Sequence, residues 1–441
     1  MNICMISLGC DKNLSDSEMM LGFLKRKNVF FTDDPENADV VIINTCCFIL
    51  DAKKESIETI LRISRLKREN KIKALIVTGC LAERYREEIR KEIPEVDAIV
   101  GTSGTDRIET VLKKVLKGKK ENLFEDLNRL PAVSENRVPS SLNGVTGYLK
   151  IAEGCDKHCT YCIIPDLRGK YRSYPIETLL DQAKKMAAEG IRELILVAQE
   201  TTLYGTDLYG RKSLDRLLTK LCAIRDLKWI RILYCYPEEI TESLIRTIQK
   251  EDKICKALDM PIQHASNPIL KKMGRRTDQE EITGMIGRLR SEIPGISLRT
   301  TLISGFPGET EADHKELVKF VKQMKFDRLG VFPYSREENT PAYFFPDQIP
   351  SKVKKQRRNE IMAVQQKISA SLLKKKKGKV IEVLVEGYLP KEKVYIGRSA
   401  ADAPDVDGTV FFTGDREYLT GEFVRVKISG SSEYDLEGRT V

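Results

Sequence analysis

The 441-residue sequence lacks any apolar run close to the roughly 18 residues that a membrane-spanning helix requires. Its first residues, MNICMISLGC, also lack the basic segment and the long apolar stretch of a secretory signal peptide. These two absences predict a cytoplasmic protein with no membrane contact. Thiols stay reduced in that compartment, so the eleven cysteines indicate metal binding or catalysis instead of disulfides.

The net charge of +9 is concentrated in one segment. Residues 351–377 contain ten Lys or Arg and one acidic residue, whereas residues 378–441 contain eight basic and twelve acidic residues. A module that binds nucleic-acid phosphates should be basic, so the acidic C-terminal region favours a basic protein as partner. The basic segment argues weakly the other way, and nucleic-acid binding is therefore kept as a secondary expectation.

Apolar patterning predicts three folded parts. Residues 1–118 alternate strand-like and helical segments, which indicates a parallel α/β sheet domain. A loose linker at residues 119–143 precedes residues 144–340, where about six further strand–helix units predict an open, partial (βα)6 TIM-like barrel. A basic helical connector at residues 341–377 leads to residues 378–441, where about five short strands predict a small antiparallel, OB-like β-barrel.

Each of the first three predicted strands finishes on a cysteine: Cys10, Cys46 and Cys80. Parallel strands end at the same edge of a sheet, and that edge is where open α/β sheets bind ligands. One such cysteine alone could equally be a core thiol, because free cysteine is often buried. Three at one edge predict a metal cluster. The neighbouring Cys47 is predicted to face the opposite way and to take no part.

The segment EGCDKHCTYCIIP, residues 153–165, contains a second set of three thiols: Cys155, Cys159 and Cys162. A closed zinc site needs four ligands, and no second pair of closely spaced cysteines lies nearby. Three thiolates can instead hold three irons of a [4Fe–4S] cluster and leave the fourth iron open. Iron–sulfur is the prediction, with zinc as the alternative.

The CxxxCxxC spacing, with Tyr161 before the last cysteine, resembles the radical S-adenosylmethionine (SAM) superfamily. The resemblance implies that the open iron binds SAM and that an electron from the cluster cleaves it to a deoxyadenosyl radical. It also implies a SAM pocket on the barrel loops, formed by Tyr161, Gln199, Glu200, Gly305 and Pro307. His264 fits a core histidine as well as a pocket residue, and no catalytic residue beyond the clusters can be named.

Two cysteine trios followed by a small C-terminal barrel resemble the radical SAM methylthiotransferases over essentially the whole chain. The segments SLGCDKNLSDSE, NTCCFI and PIQHAS resemble the RimO-type branch, whereas MiaB-type tRNA enzymes usually show GCQMN near the start. The resemblance implies an auxiliary cluster on Cys10, Cys46 and Cys80, a SAM cluster on the second trio, and a substrate-recognising TRAM domain at residues 378–441. Tyr174 departs from the family pattern, which usually has Arg there.

The RimO-type resemblance implies that sulfur and a methyl group are inserted at the β-carbon of an aspartate in ribosomal protein S twelve. It further implies two [4Fe–4S] clusters, SAM and an electron donor such as a flavodoxin or ferredoxin. Two alternatives stay open from the residues. One is a tRNA adenosine methylthiotransferase, and the other is an RNA-binding protein whose metal clusters are structural.

Overall fold

The computed structural model describes residues 1–139 and 144–441, so the last four residues of the predicted linker, 140–143, lie outside the described residues. The chain divides into two compact units. The first combines the described residues before position 140 with residues 150–174 and 337–340. The second contains residues 144–149, 175–336 and 341–441.

A six-stranded parallel sheet forms the framework of the first unit, in the order β2-β1-β3-β4-β5-β6. The strands are β1 (Asn2–Ser7), β2 (Phe30–Thr32), β3 (Val40–Thr45), β4 (Ala74–Gly79), β5 (Ala98–Val100) and β6 (Glu121–Leu123). The helices are α1 (Asp11–Leu24), α2 (Leu50–Arg68), α3 (Cys80–Arg84), α4 (Arg86–Glu92) and α5 (Ile108–Val115), with 3-10 turns at Pro35–Asn37 and Thr102–Arg107. Hydrophobic clusters cover both faces of the sheet, which explains why its central strands are continuous apolar runs.

This arrangement confirms the predicted parallel α/β domain and adds two strands to it. β2 and β6 have three residues each and lie at the two edges of the sheet. Such short edge strands are too brief for a periodic apolar pattern, and both were absent from the sequence-based prediction. β6 lies within the segment that the sequence predicts to be a loose linker.

A second sheet follows the order β14-β13-β12-β11-β10-β7, and its recorded strand pairs are parallel. The elements up to β10 are β7 (Thr146–Lys150), β8 (Ala152–Glu153), α6 (Ile164–Arg168), β9 (Arg172–Ser173), α7 (Ile176–Ala188) and β10 (Glu193–Val197). The next are α8 (Thr206–Tyr209), α9 (Leu214–Cys222), β11 (Trp229–Ile232), α10 (Glu242–Lys250), β12 (Ile254–Asp259), α11 (Asn267–Lys272), α12 (Gln279–Glu292), β13 (Ser297–Ser304), α13 (Glu311–Met324) and β14 (Arg328–Pro333), with 3-10 turns at Pro237–Glu239 and Pro341–Phe344. Six strands in sequence order, parallel from β10 to β14 and forming an open sheet among the described residues, confirm the predicted partial (βα)6 barrel.

The predicted basic connector is the long helix α14 (Ser351–Lys374), and the C-terminal strands form a closed barrel in the order β15-β16-β17-β19-β18. These strands are β15 (Val380–Leu389), β16 (Val394–Ser399), β17 (Val410–Thr413), β18 (Phe423–Ser431) and β19 (Leu436–Thr440). The small C-terminal barrel is thereby confirmed, although β17 and β19 pair in parallel. Leu373, near the end of α14, lies in the hydrophobic core of this barrel.

Residues 337–340 belong to the first unit although they follow β14 in the sequence. Glu337 is buried there and forms ion pairs with Arg84 (3.1 Å) and with Lys53 (2.9 Å). The carboxylate of Glu337, which follows β14 in the sequence, thus pairs with α2 and α3 of the N-terminal sheet domain.

A buried cluster of three charges links the C-terminal barrel to the second sheet. Glu193 on β10 accepts hydrogen bonds from Arg231 Nε at 2.9 Å and from Arg398 Nη2 at 2.5 Å. Burial alone raises the pKa of the Glu193 carboxyl, but the two guanidinium groups outweigh it and hold that pKa below its usual value. Because all three side chains are removed from water, their mutual contacts are needed to offset desolvation.

Replacing Arg398 by Gln should therefore lower the free energy of unfolding of the second unit by about 3 kcal/mol, because Glu193 would stay buried with one cation only. Urea unfolding followed by Trp229 fluorescence measures this, since Trp229 is the single tryptophan and its ring centroid lies 4.8 Å from that of Phe423 in the barrel. The control Lys427→Gln, at an exposed position of β18, should change stability by no more than about 0.5 kcal/mol. Equal midpoints for the two variants would contradict the expectation.

Candidate functional site

The first cysteine trio lies at the carboxyl edge of three adjacent strands. Cys46 directly follows β3, Cys80 directly follows β4 and begins α3, and Cys10 is the residue before α1, three positions after β1. The strands end one to three residues earlier than the sequence predicts, and the shared edge is as expected. Burial differs, because Cys46 and Cys80 are 6% exposed whereas Cys10 is exposed to solvent.

Glycines bring the chain close to these thiols. Gly9 has a φ of +93°, and a Cβ atom there would lie 2.6 Å from Cys46 Cβ and 2.9 Å from Cys46 Sγ. Gly79 has a φ of +91°, and a Cβ atom there would lie 2.3 Å from Asn44 Oδ1. Only glycine fits such a close approach in the left-handed region, so both positions serve the placement of the cysteines that follow them.

The environment of Cys46 and Cys80 favours neutral thiols until a cation is bound. Burial raises the pKa of Cys46 to about 12, and the nearby Cys80 and Cys10 add to the effect. Burial also raises the pKa of Cys80, and Arg168 opposes that rise. A bound metal supplies positive charge and so favours the thiolate forms that ligate it, and three cysteines at one sheet edge are a donor set that fits a metal cluster.

The second cysteine trio lies in the loop between β8 and α6. Cys155 and Cys159 are buried and Cys162 is half-buried. Burial raises the pKa of Cys162, and Cys159 and Cys155 raise it further, so these thiols also lie near one another. Cys162 N donates to Cys159 O at 2.9 Å, which closes a tight turn between these two members of the trio.

A glycine also directly precedes the first cysteine of this loop. Gly154 has a φ of +78°, and a Cβ atom there would lie 2.1 Å from Lys170 O and 2.5 Å from Gly169 O. Cys155 N donates to Gly169 O at 3.1 Å, so the backbone on either side of the cysteines is held together. His158, directly before Cys159, has a φ of +49°, which is uncommon for a residue with a side chain.

Within residues 1–139 and 144–441, no group of three or more His, Cys, Asp or Glu side chains is arranged closely enough to hold a metal ion as it stands. Each thiolate of a [4Fe–4S] cluster binds a different iron, so the three sulfurs of a trio need not converge on one point. In the structure, cysteines of the same trio lie near one another, and the backbone loops hold them there.

A buried network of four charged side chains lies among the elements that carry the two trios. Arg168 and Lys150 supply the positive charges, and Asp16 and Glu153 supply the negative ones. Burial raises the pKa of Glu153, but Lys150 and Arg168 outweigh it and lower that pKa to about 2. All four residues are at most 7% exposed. Sequence patterns gave no signal for this network, because Asp16 lies more than 130 positions before its partners Lys150 and Arg168.

Cys47 and Tyr174, the two departures from the family pattern, are both internal. Cys47 lies fully buried in the hydrophobic cluster that also contains Leu75 and Ile60. Tyr174 is 6% exposed, and its hydroxyl donates to Pro131 O at 3.2 Å. Both side chains thus occupy packed positions within the first unit.

The residues predicted to bind SAM lie in the loops after β10 and β13 of the second unit, except Tyr161, which is half-buried in the cysteine loop. Gln199 and Glu200 follow β10, and Glu200 Oε1 accepts a hydrogen bond from Thr202 N at 2.9 Å. Gly305 and Pro307 follow β13, where both are buried.

The loop after β13 is held by hydrogen bonds of Glu309 and Arg357, a role that the sequence did not predict for either residue. Glu309 Oε2 accepts hydrogen bonds from Gly305 N (2.6 Å) and Phe306 N (3.0 Å), and its Oε1 accepts one from Arg357 of α14 (2.9 Å). A Cβ atom on Gly305, whose φ is +69°, would lie 2.4 Å from Lys354 Cγ. Helix α14 therefore buries Lys354 and Arg357, part of its basic face, against this loop. The number of basic residues in the segment alone would suggest that this face is exposed to solvent.

His264 is a buried, neutral histidine. Its Nδ1 accepts a hydrogen bond from Ser266 N at 2.9 Å, and its Nε2 lies 3.8 Å from Glu309 Oε2. Burial lowers the pKa of His264 to about 3, so the ring is uncharged at neutral pH. A fully buried, uncharged ring is what a core histidine would show.

Three family models match separate parts of the chain. A model described as the uncharacterised protein family UPF0004 matches residues 2–101, the radical SAM superfamily matches residues 149–321, and the TRAM domain matches residues 378–441. The curated "Ribosomal protein uS12 methylthiotransferase RimO" of Lachnoclostridium phytofermentans is 54% identical over 438 residues, 99% of each chain. The protein of that name from Clostridioides difficile is 50% identical over 440 residues, 99% of this chain and 98% of the relative.

Solved structures with the same fold are more distant in sequence. The radical SAM methyltransferase TsrM from Kitasatospora setae, with cobalamin and a [4Fe–4S] cluster bound, has a TM-score of 0.57 at 15% identity, covering 77% of this chain and 76% of that chain. The cobalamin-dependent SAM radical enzyme OxsB, with aqua-cobalamin and SAM bound, has a TM-score of 0.52 at 14% identity, covering 82% and 56%. These similarities concern the fold alone.

The close backbone approach at Gly154 gives a test of the cysteine loop. Gly154→Ala should reduce the iron bound after anaerobic reconstitution by about half, from about eight to about four per chain, because the added Cβ would displace the loop that carries one trio. Iron analysis with a thermal melt measures this. Gly118→Ala is the matched control: Gly118 also has a positive φ, +75°, but nothing lies within 4 Å of its Cβ position. Equal iron content in both variants would contradict the steric role of Gly154.

Proposed function

The chain belongs to the ribosomal protein uS12 methylthiotransferase (RimO) family of radical SAM enzymes, and on that premise we propose which residues perform the reaction. It is a radical SAM methylthiotransferase that uses SAM and two [4Fe–4S] clusters. We assign the auxiliary cluster to Cys10, Cys46 and Cys80, and the SAM cluster to Cys155, Cys159 and Cys162. The observation that carries the assignment is that both sets of thiols lie in one compact unit. In each set, a glycine directly before a cysteine stands where a Cβ atom would clash with a neighbour.

Three cysteines per cluster leave one iron of each cluster without a protein ligand. When bound, the clusters and SAM supply a radical that can take hydrogen from a carbon with no usable acidity. The protein's own part is to hold the thiolates, position SAM and exclude water. We propose that Tyr161, Gln199, Glu200, Gly305 and Pro307 form the SAM pocket, with Glu309 keeping the loop after β13 in shape.

The proposed substrate is ribosomal protein uS12, with the sulfur and methyl group placed on the β-carbon of an aspartate. The relatives that share about half of their residues with the chain over its full length support this choice over tRNA. Recognition of the substrate by the TRAM domain is part of the same proposal. A tRNA substrate has no comparable support.

Surface charge does not support the choice of substrate, because two of the three aspartates between β16 and β17 (Asp402, Asp405 and Asp407) have buried side chains. Asp402 is buried and accepts a hydrogen bond from Arg328 Nε at 3.0 Å, and the side chain of Asp407 is 5% exposed and lies 3.5 Å from Arg299. Neutralising them would therefore disturb the interior of the second unit, so they are unsuitable as probes of substrate association. Only Asp405 of this group is exposed.

The exposed charges of the C-terminal barrel are balanced. Seven acidic side chains are exposed: Glu382, Glu392, Asp405, Asp415, Glu417, Glu433 and Glu437. Seven basic side chains are also exposed: Lys379, Lys391, Lys393, Arg416, Arg425, Lys427 and Arg439. The acidic excess counted from the sequence thus comes from buried and half-buried groups, and it is no argument for a basic partner.

The remaining partners are proposed from the chemistry. Reductive cleavage of SAM needs an electron, so a flavodoxin or ferredoxin is the proposed donor. No helix among the described residues has the length and apolar character to cross a membrane. A cytoplasmic location is part of the proposal, because the proposed substrate is a ribosomal protein, and nucleic-acid contact is a secondary expectation.

Replacement of each trio by Ala should separate the two roles. The variant at Cys155, Cys159 and Cys162 should bind about four irons and lose SAM cleavage, since one four-iron cluster remains. The variant at Cys10, Cys46 and Cys80 should keep SAM cleavage and lose thiolation. Iron analysis and chromatography of deoxyadenosine and product measure both. Cys47→Ala, a buried neighbour outside the proposed ligand set, is the control and should keep about eight irons. Thiolation by the second variant, or zinc in place of iron, would refute the assignment.

The substrate is tested by mass spectrometry. Purified ribosomal protein uS12 and tRNA are each incubated with enzyme, SAM and reductant. We expect one hydrogen of a uS12 aspartate to be replaced by SCH3, with no change in tRNA, because the family relatives act on uS12 by name. Modified tRNA beside unmodified uS12 would refute the substrate and leave the radical chemistry in place.

A further inference from the structure

Arg168, a member of the buried charge network, also contacts a proposed cluster ligand. Its Nη1 donates to Asp16 Oδ2 at 2.6 Å and to Glu153 Oε2 at 3.2 Å. Its Nη2 donates to Asn13 Oδ1 at 2.6 Å and to Cys80 Sγ at 3.6 Å. Arg168 itself is 2% exposed, so these contacts are made without competition from water.

The contacts of Arg168 reach the loops of both cysteine trios. Arg168 ends α6, which follows Cys162, and Glu153 lies two residues before Cys155. On the other side, Asp16 lies on α1, which begins directly after Cys10. A guanidinium group fixed between these elements holds the loop of one trio against the helix of the other.

Asn13 extends this connection to the ends of two strands. Its Nδ2 donates to Leu8 O at 2.9 Å and to Thr45 O at 3.0 Å, and these residues immediately precede Gly9–Cys10 and Cys46. Its Oδ1 is the atom that accepts from Arg168. One arginine therefore contacts Cys80 directly and, through a single asparagine, the backbone that carries Cys10 and Cys46.

The charges of the network cancel, so the hydrogen bond to Cys80 is not a by-product of an unpaired cation. Lys150 Nζ donates to Glu153 Oε2 at 2.5 Å and also pairs with Asp16. Two cations and two anions are thus matched before Cys80 is counted. A thiolate at Cys80 adds a negative charge beside a guanidinium group that still has an N–H aimed at its sulfur.

We propose that Arg168 is a positioning residue for the sulfur-inserting centre: it orients Cys80 and raises the reduction potential of the cluster held by Cys10, Cys46 and Cys80. This inference rests on the proposed function, because it presumes that these three cysteines hold a cluster. Hydrogen bonds to the sulfurs of an iron–sulfur cluster stabilise its reduced, more negative state. Partners of this kind also fix the orientation of the ligand.

Lysine could not make the same set of contacts. The planar guanidinium group presents five N–H donors in a fixed geometry, and Arg168 uses two nitrogens for four partners. A lysine ammonium is a point charge on a flexible chain, so it would keep the charge and lose the fixed direction toward Cys80. If Arg168 only paired with carboxylates, a lysine would be able to replace it. If Arg168 orients Cys80, a lysine would not, and this difference separates a structural role from a positioning role.

The test measures a potential in the full-length chain. Cys155, Cys159 and Cys162 are replaced by Ala, so that only the cluster on the first trio is titrated. Arg168→Gln and Arg168→Lys are added to this background, and the midpoint potential is determined by redox titration with electron paramagnetic resonance. We expect about four irons in each protein, a more negative potential for Arg168→Gln, and an intermediate one for Arg168→Lys.

Arg137→Gln in the same background is the matched control. Arg137 is also a buried arginine of the first unit, and its Nε donates to Glu18 of α1 at 2.9 Å. Its removal should leave the potential at the parent value. An equal shift in Arg137→Gln would mean that general loosening of the unit is responsible, and would overturn the proposal.

The remaining outcomes are also decisive. If Arg168→Gln does not fold, Arg168→Lys decides, and a potential equal to the parent's would overturn the role of Arg168. An unchanged potential with about four irons bound refutes the role of Arg168 alone. A parent background that binds no iron refutes the proposed function, and this inference with it. The two failures are therefore distinguishable by iron analysis before any titration.

Discussion

The parallel direction of β1, β3 and β4 is the constraint on which the site depends. Because the three strands run the same way, the residues that follow them meet at one edge, although they are separated by more than 30 positions in the sequence. The glycines before Cys10 and Cys80 then allow the chain to turn tightly enough for the thiols to approach each other. If any one of these strands ran in the reverse direction, its cysteine would lie at the opposite edge of the sheet, away from the other two.

Much of the fold and of the cysteine placement was predictable, because both depend on local signals. Apolar runs and turn residues define the strands, and strand direction then fixes the edge that carries Cys10, Cys46 and Cys80. The strands β2 and β6 escaped prediction because three residues at a sheet edge carry no periodic pattern. Their presence depends on pairing with a neighbour that the local sequence does not specify.

Charge was the property that sequence reasoning handled worst. A count of Asp and Glu treats every carboxylate as exposed, yet Asp402 is 1% exposed and faces Arg328, 74 residues earlier in the chain. The same applies to Arg357, which reads as part of a solvated basic run and is buried against Glu309. Long-range ion pairs have no signature in the local sequence. The net charge of a segment therefore predicts its surface charge only after the buried ion pairs are subtracted.

The inclusion of Glu337 in the first unit has a consequence for biogenesis. Small domains near the N-terminus commonly fold while the rest of the chain is still being translated. Here the carboxylate that pairs with Lys53 and Arg84 is synthesised more than 250 residues after either of them, and residues 150–174 must also be made before the unit is complete. The N-terminal sheet can form early, but its last buried ion pairs must wait until nearly four-fifths of the polypeptide has left the ribosome. Truncation after the second sheet but before residue 337 would leave two cations in the first unit permanently without their shared carboxylate.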